Sequence, residues 1–98
     1  MFGVRIAQLA VDHLATIRSY DRNRILDEIM THLRNDPQQE TPRRKQLPGV
    51  VPPFEHVQPV WQLRVGEFRV IYDVDSSTRL VIVRAVLRKG RRTTKEIL

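Results

Sequence analysis

The stretch from Val60 to Leu87 constrains this chain more than any other, because apolar and polar residues alternate through three consecutive runs joined by short turns. Val60–Val65 (VWQLRV) and Phe68–Val74 (FRVIYDV) are β-branched and aromatic runs parted only by Gly66-Glu67, a connection with glycine first, as a type II′ hairpin requires. Such a loop sets the register: Val65 opposes Phe68, Arg64 opposes Arg69 and Leu63 opposes Val70. A third run, Arg79–Leu87 (RLVIVRAVL), follows a turn over Asp75-Ser76-Ser77-Thr78. Symmetric closure of that turn puts Arg69 opposite Arg84, so the pattern predicts Arg64, Arg69 and Arg84 in one row across three strands.

The two faces differ in character. One carries Trp61, Leu63, Val65, Phe68, Val70, Tyr72, Val74, Val81, Val83, Ala85 and Leu87 with no charge among them, as when helices cover one side of an antiparallel sheet. On the other, like charges set directly opposite each other are destabilising, so folding alone gives no reason for the arginines and a bound anion supplies one. The bland alternative is a set of long side chains fanning into solvent over Ile71 and Ile82.

Ninety-eight residues suit one domain spanning the whole chain, 1–98. Seventeen Lys and Arg against eleven Asp and Glu give a formal charge of +6, which points to a polyanionic partner, most simply nucleic acid, or to an acidic protein. Much of the excess sits in Arg43-Arg44-Lys45 and Arg88-Lys89-Gly90-Arg91-Arg92, whereas Asp12, Asp21, Asp27, Glu28 and Asp36 lie in the first third. The absence of Cys excludes disulfides and thiolate metal sites. With no apolar run of membrane-spanning length and no signal-peptide core, a cytoplasmic protein without a membrane partner is expected.

Ahead of the sheet, Phe2–Ile6 alternates as an edge strand does, and from Ala7 the period changes. Ala10, Leu14 and Ile17, then Ile25, Ile29 and Leu33, recur at helical spacing, which predicts two amphipathic helices on either side of Tyr20-Asp21. Asp21 is the expected N-cap of the second, and Asn35-Asp36-Pro37 its expected end. The short link between them implies an antiparallel helical hairpin on the apolar sheet face. All six prolines fall between Asp36 and Val60, so that stretch reads as a connection rather than a helix or central strand. It is long for a compact domain, and Arg43-Arg44-Lys45 within it suggests contact with phosphate or a partner; a merely solvated crossover is the equal alternative.

Ordinary catalytic signatures are missing: no G-x-x-x-x-G-K-[ST], no G-x-G-x-x-G, no H-E-x-x-H and no G-x-S-x-G. His13 and His32 fall on the predicted helices without i,i+3 or i,i+4 partners and His56 in the proline-rich loop, so surface or rim roles are expected for all three. Asp73 shares strand parity with Arg69 and is read as a turn residue or an ion-pair partner of Arg64 or Arg84. What remains is a cluster of arginines with no metal ligands and no obvious carboxylate or imidazole base.

At this point the residues carry a resemblance. The order strand, helical hairpin, Leu-Pro-Gly-containing loop, Val60-Trp61-Gln62-Leu63-Arg64, Phe68-Arg69-Val70-Ile71-Tyr72 and a closing Val86-Leu87-Arg88-Lys89-Gly90-Arg91-Arg92 resembles a RelE/ParE-superfamily toxin of bacterial type II toxin–antitoxin systems, over nearly the whole chain. Phe68–Tyr72 is similar to the family's aromatic-Arg-hydrophobic-hydrophobic-Tyr strand, and Leu87–Arg92 to its Leu-Arg-x-Gly-basic-Arg ending. The resemblance implies an α+β fold with an N-terminal strand and helical hairpin packed on a mainly antiparallel twisted sheet. For the RelE-like branch it also implies a metal-independent endoribonuclease, without a cofactor, that cuts mRNA on the ribosome.

By the same resemblance, Arg64, Arg69 and Arg92 are the catalytic candidates, because guanidinium forms bidentate hydrogen bonds to phosphate and keeps its charge. Arg43, Arg44, Lys45, Arg84, Arg88, Lys89 and Arg91 are the candidate RNA contacts. The expected partners are mRNA and an acidic, partly disordered antitoxin, the complex with which sits on operator DNA. Two positions depart from the family's pattern: Arg64 stands where a lysine base is common, and Leu98 where the family has a C-terminal tyrosine. The alternatives are a ParE-like inhibitor of DNA gyrase and a catalytically inactive module that only pairs with its antitoxin.

Overall fold

The computed structural model describes the backbone of residues 1–98 and every side chain except that of Lys95. Strand β1 (Gly3–Ile6) leads into helices α1 (Gln8–Ala15) and α2 (Ser19–Leu33), and four further strands follow. These are β2 (Arg44–Gln46), β3 (Trp61–Val65), β4 (Phe68–Asp75) and β5 (Leu80–Arg88), with a short helix α3 (Thr94–Ile97) at the end. They form one five-stranded sheet in the order β1-β5-β4-β3-β2, in which only the β1–β5 pair is parallel. The α+β architecture is therefore as expected, with β1 on an edge. Among the described residues no helix is long and apolar enough to cross a membrane.

Both helices form where the apolar spacing placed them. Ala10 and Leu14 of α1 and Ile25, Ile29 and Leu33 of α2 are buried against Trp61, Leu63, Val65, Phe68, Val70, Tyr72, Val81, Val83 and Val86. Asp21 does not cap α2. The N-cap is Arg18, whose Nε donates to Asp21 at 2.8 Å, so the carboxylate sits inside the first turn, where a negative charge favours the helix dipole. Arg22 Nη1 donates to the Ile17 carbonyl at 3.2 Å and fastens the turn between the helices.

The β3–β4 register is the expected one: Val65 opposes Phe68, Arg64 opposes Arg69 and Leu63 opposes Val70. Gly66 takes φ +57 while Glu67 stays out of the left-handed region, as a type II′ turn demands. The β4–β5 register differs from expectation. Its turn runs over Ser76–Arg79, closed by Asp75 against Leu80, with Arg79 at φ +54 and the Asp75 carboxylate accepting from Ser77 and Thr78. A bulge then falls between Ile71 and Tyr72: Ile71 opposes Ala85, Tyr72 opposes Val83, and Arg84 is the extra residue. Arg69 consequently faces Leu87, not Arg84. Beyond the bulge the side-chain parity flips, which puts Val86 in the helix-side core and sends Ala85 and Leu87 to the opposite face.

Part of that opposite face is covered. Leu47, Val60, Ile71 and Ala85 are buried there, with Val50, Phe54, Leu87 and Leu98 packed against them. The proline-rich stretch supplies much of this cover, and it also contains β2, an edge strand paired with β3. Arg84 is held inside the cover: Nε donates to Asp73 Oδ2 at 2.7 Å and Nη2 to Asp73 Oδ1 at 3.2 Å, with Glu55 accepting from Nη1 at 3.1 Å. Asp73 also accepts from the Val57 amide at 3.0 Å, so one buried carboxylate ties the loop to two strands.

Removing one member of a buried ion pair leaves an uncompensated charge, so Arg84→Met should lower stability by about 3–5 kcal/mol. Arg84→Met/Asp73→Asn should recover a large part of that loss in urea unfolding; a double variant no more stable than Arg84→Met would refute the pairing as its cause. Tyr72 gives a second test. Burial pushes its pKa well above the ordinary value, partly opposed by Arg44, and its hydroxyl donates to the Pro37 carbonyl at 2.6 Å. A raised tyrosine pKa contributes stability that is fully present below the unfolded value near 10 and is lost as pH rises through the folded one. In a Tyr20→Phe background, phenolate absorbance should therefore appear only as the chain unfolds in alkali; ionisation of Tyr72 while the near-ultraviolet dichroism is intact would contradict this.

Candidate nucleic-acid interface

Because β3 and β4 are locked in register, Arg64 and Arg69 stand opposite each other on the face away from the helices. Their surroundings differ. Arg64 is exposed, whereas Arg69 is buried to 9% exposure, and its Nη1 donates to the carbonyls of Gly66 and Phe68, both at 2.9 Å. Arg69 Nε is buried without a partner. Burial, and secondarily the charge of Arg64, lower the Arg69 pKa. A positive charge held beside another positive charge is an arrangement that an anion relieves.

The strand before them adds more charge. The Arg64 amide donates to the Arg43 carbonyl at 2.8 Å, which sets Arg43 beside the pair, and Lys45 opposes Gln62 across the β2–β3 ladder. A cleft of about 540 Å³ results, with Arg43, Lys45, Arg64, Arg69 and Lys89 among its walls together with Gln62, Thr93 and Thr94. Glu40 is the only carboxylate on its rim among the described residues. Lys89 arrives because its amide donates to the Glu67 carbonyl at 2.8 Å, continuing the ladder past β5 to the hairpin tip. Thr94 closes the far side by donating its hydroxyl to Gln62 Oε1.

The other sequence candidates are placed elsewhere. Arg44 is buried, and its Nη1 donates to the carbonyls of His32 and Asn35, closing the C-terminal end of α2. Arg84 is spent on Asp73 and Glu55. Both were expected to be free for a ligand; both are internal struts, and the three-arginine row is a pair. Arg88 opposes Phe68 and lies over its ring at 4.7 Å on the helix side, ion-paired with Glu67. Arg92 is exposed, donates to the Arg88 carbonyl at 3.3 Å and does not line the cleft, and Arg91 is exposed as well.

The histidines do not converge. His13 Nδ1 accepts from the Val86 amide at 3.1 Å, in effect capping the bulge, and His56 Nδ1 lies 2.7 Å from the Phe54 carbonyl. His32 has an i−4 partner after all, since its Nε2 meets Glu28 at 2.7 Å. Arg24 of α2 lies beside Arg64 and Arg69, outside the cleft, and the sequence pattern did not single it out. Its guanidinium lies over the hairpin turn, with Nη1 2.9 Å from where a β-carbon on Gly66 would stand.

Comparison with known proteins places this geometry in a lineage. Residues 4–92 match the sequence pattern described as the ParE toxin of the type II toxin–antitoxin system, parDE. The chain belongs to this toxin family. No curated protein sequence matches the toxin. Its fold is similar to the RelE–RelB complex of the archaeon Pyrococcus horikoshii, at TM-score 0.69 and 20% identity over 92% of this chain and 97% of that one. It is also similar to the toxin–antitoxin complex RelBE2 of Mycobacterium tuberculosis, at TM-score 0.66 and 17% identity over 91% and 92%. The isolated RelE toxin of E. coli matches at TM-score 0.61 and 15% identity over 96% and 89%. The toxin thus has the RelE-like fold expected of its superfamily.

The unfavourable Arg64–Arg69 opposition yields a paired prediction. Arg64→Gln should stabilise the toxin by about 0.2–1 kcal/mol, because cross-strand like charges cost about that much, and should at the same time weaken its retention on a polyphosphate or heparin matrix. Thermal unfolding and salt elution of the two proteins check both halves. A variant that is less stable and equally well retained would show that the pair is a folding device.

Proposed function

We propose that this toxin is an endoribonuclease that inhibits translation by cutting mRNA on the ribosome, with the cleft beside the Arg64–Arg69 pair receiving the phosphodiester. The observation that carries this reading is the pair itself: two guanidiniums held opposite each other by the hairpin register on the wall of a basic cleft. In such a reaction the ribose 2′-oxygen gives up its proton and attacks the adjacent phosphorus while the P–O5′ bond breaks, leaving a 2′,3′-cyclic phosphate and a 5′-oxygen that takes up a proton. Negative charge grows on the phosphate oxygens not in the line of attack. Arg64 and Arg69 stabilise that charge through fixed donors. A guanidinium keeps its proton, so neither accepts one from the 2′-hydroxyl. Proton transfer falls to Lys45 or Lys89, the cleft's amines, or to groups of the ribosome. Arg92 enters the chemistry only if the segment after β5 rearranges on RNA, since it stands outside the cleft.

A cognate antitoxin follows from the toxin's kind, and the similar RelE–RelB and RelBE2 structures are toxin–antitoxin complexes. An acidic antitoxin segment suits a chain of charge +6 and would cover the cleft. One observation favours a second reading: the family pattern that matches the chain is that of ParE, and the ParE-like branch acts on DNA gyrase.

Induction in a bacterial host with mapping of mRNA 5′ ends separates the two. The nuclease reading predicts new ends within codons, lost by at least 100-fold in Arg69→Ala, the scale for removing one donor to a developing oxyanion. DNA damage with intact mRNA would overturn it in favour of gyrase.

A further inference from the structure

The Arg64–Arg69 pair has a second open side. Toward α2 lies a separate concavity of about 380 Å³ lined by Arg24, Arg43, Arg64, Gly66 and Arg69, with no carboxylate among the described lining residues. It shares Arg43, Arg64 and Arg69 with the cleft already described, so the same cations are reached from two directions. Arg24 is particular to the second side.

Two features mark Arg24 as placed for a ligand. First, it makes no hydrogen bond or ion pair with any described residue, although Glu28 stands one helical turn further along the same helix. That carboxylate is turned to His32 at 2.7 Å and Arg43 at 3.2 Å instead. Second, its guanidinium is seated against the hairpin turn, with Nη1 2.9 Å from where a β-carbon on Gly66 would stand, and so beside Arg64 and Arg69. The hairpin glycine itself is required by its positive φ. Four guanidiniums thus meet with a single carboxylate, Glu28, paired to one of them.

We propose that Arg24 completes a second phosphate subsite, so that a single RNA strand is held by two neighbouring phosphates, one on each side of the Arg64–Arg69 pair. This rests on the reading of the main cleft as the RNA site and adds to it the direction the strand takes, toward the hairpin tip and α2. Arg24 acts as a positioning residue: it grips the strand one phosphate away from the scissile bond and leaves the chemistry to the cleft.

The test uses the purified full chain and two non-cleavable 2′-O-methyl probes, a dinucleotide with one phosphodiester and a tetranucleotide with three. Arg24→Gln should weaken tetranucleotide binding several-fold and reduce the salt slope of log affinity by about 0.7, the value for one contact to a single strand. Dinucleotide binding should not change. Arg24→Lys should keep the slope, and Arg64→Gln should weaken both probes. If Arg64→Gln weakens both while Arg24→Gln changes neither, the second subsite is refuted and the cleft stands. If neither variant affects either probe, the cleft reading fails along with the subsite. Loss of antitoxin binding in Arg24→Gln with RNA binding intact would assign the concavity to the protein partner and overturn the proposal.

Discussion

The hairpin register between β3 and β4 is the constraint on which the rest of this molecule depends. A two-residue turn with Gly66 at φ +57 leaves one way to pair the strands, and that pairing forces Arg64 and Arg69 together. The same register lines up Trp61, Leu63, Val65, Phe68, Val70 and Tyr72 for the helices, so the site's arrangement cannot slip without emptying the core. Repulsion between the two arginines is thereby tied to burial that is worth far more. The fold can carry a locally unfavourable pair because the hydrophobic term on the other face of the same strands outweighs it.

The bulge in β5 is the second determinant. By inserting Arg84 it turns the end of the strand over, so Val86 enters the core and Leu87 joins the cover on the far face. Its freed backbone is satisfied by His13, and its extra side chain by Asp73. The Asp73 contacts hold the proline-rich stretch over part of the far face, and Thr94 fastens the C-terminal segment to Gln62 of β3. The cleft lies beside that cover, between β2, the β3–β4 hairpin and Lys89. Charge is divided accordingly: Arg44 and Arg84 stabilise the scaffold, whereas Arg43, Lys45, Arg64, Arg69 and Lys89 face the opening.

Much of this was legible before any coordinates. Strand alternation, the glycine-first turn and helical spacing from Ala10 to Leu33 are local signals, and each element they predicted is present. The β3–β4 pairing followed from turn length alone. What failed were the non-local decisions. Nothing in Asp75–Arg79 distinguishes a turn that starts one residue later, which already moves Arg84 away from Arg69, and no sequence signal marked the bulge that adds to the shift. The basic run Arg43-Arg44-Lys45 reads as one patch. A three-residue edge strand splits it, sending the middle side chain inward to the end of α2 and leaving its neighbours outward. Arg24 was missed because a lone arginine on a polar helix face carries no sign that a hairpin tip lies beneath it.

The central claim is that the buried Arg69 guanidinium, opposed by Arg64, exists to meet a phosphate. It is tested most directly by following the guanidinium resonances of Arg64 and Arg69 while a non-cleavable oligoribonucleotide is titrated into the toxin. Both side chains should shift early and slow their exchange with water as the phosphate arrives. An Arg69 signal that stays fixed while other residues saturate would contradict the account and leave the arginine pair as part of the scaffold.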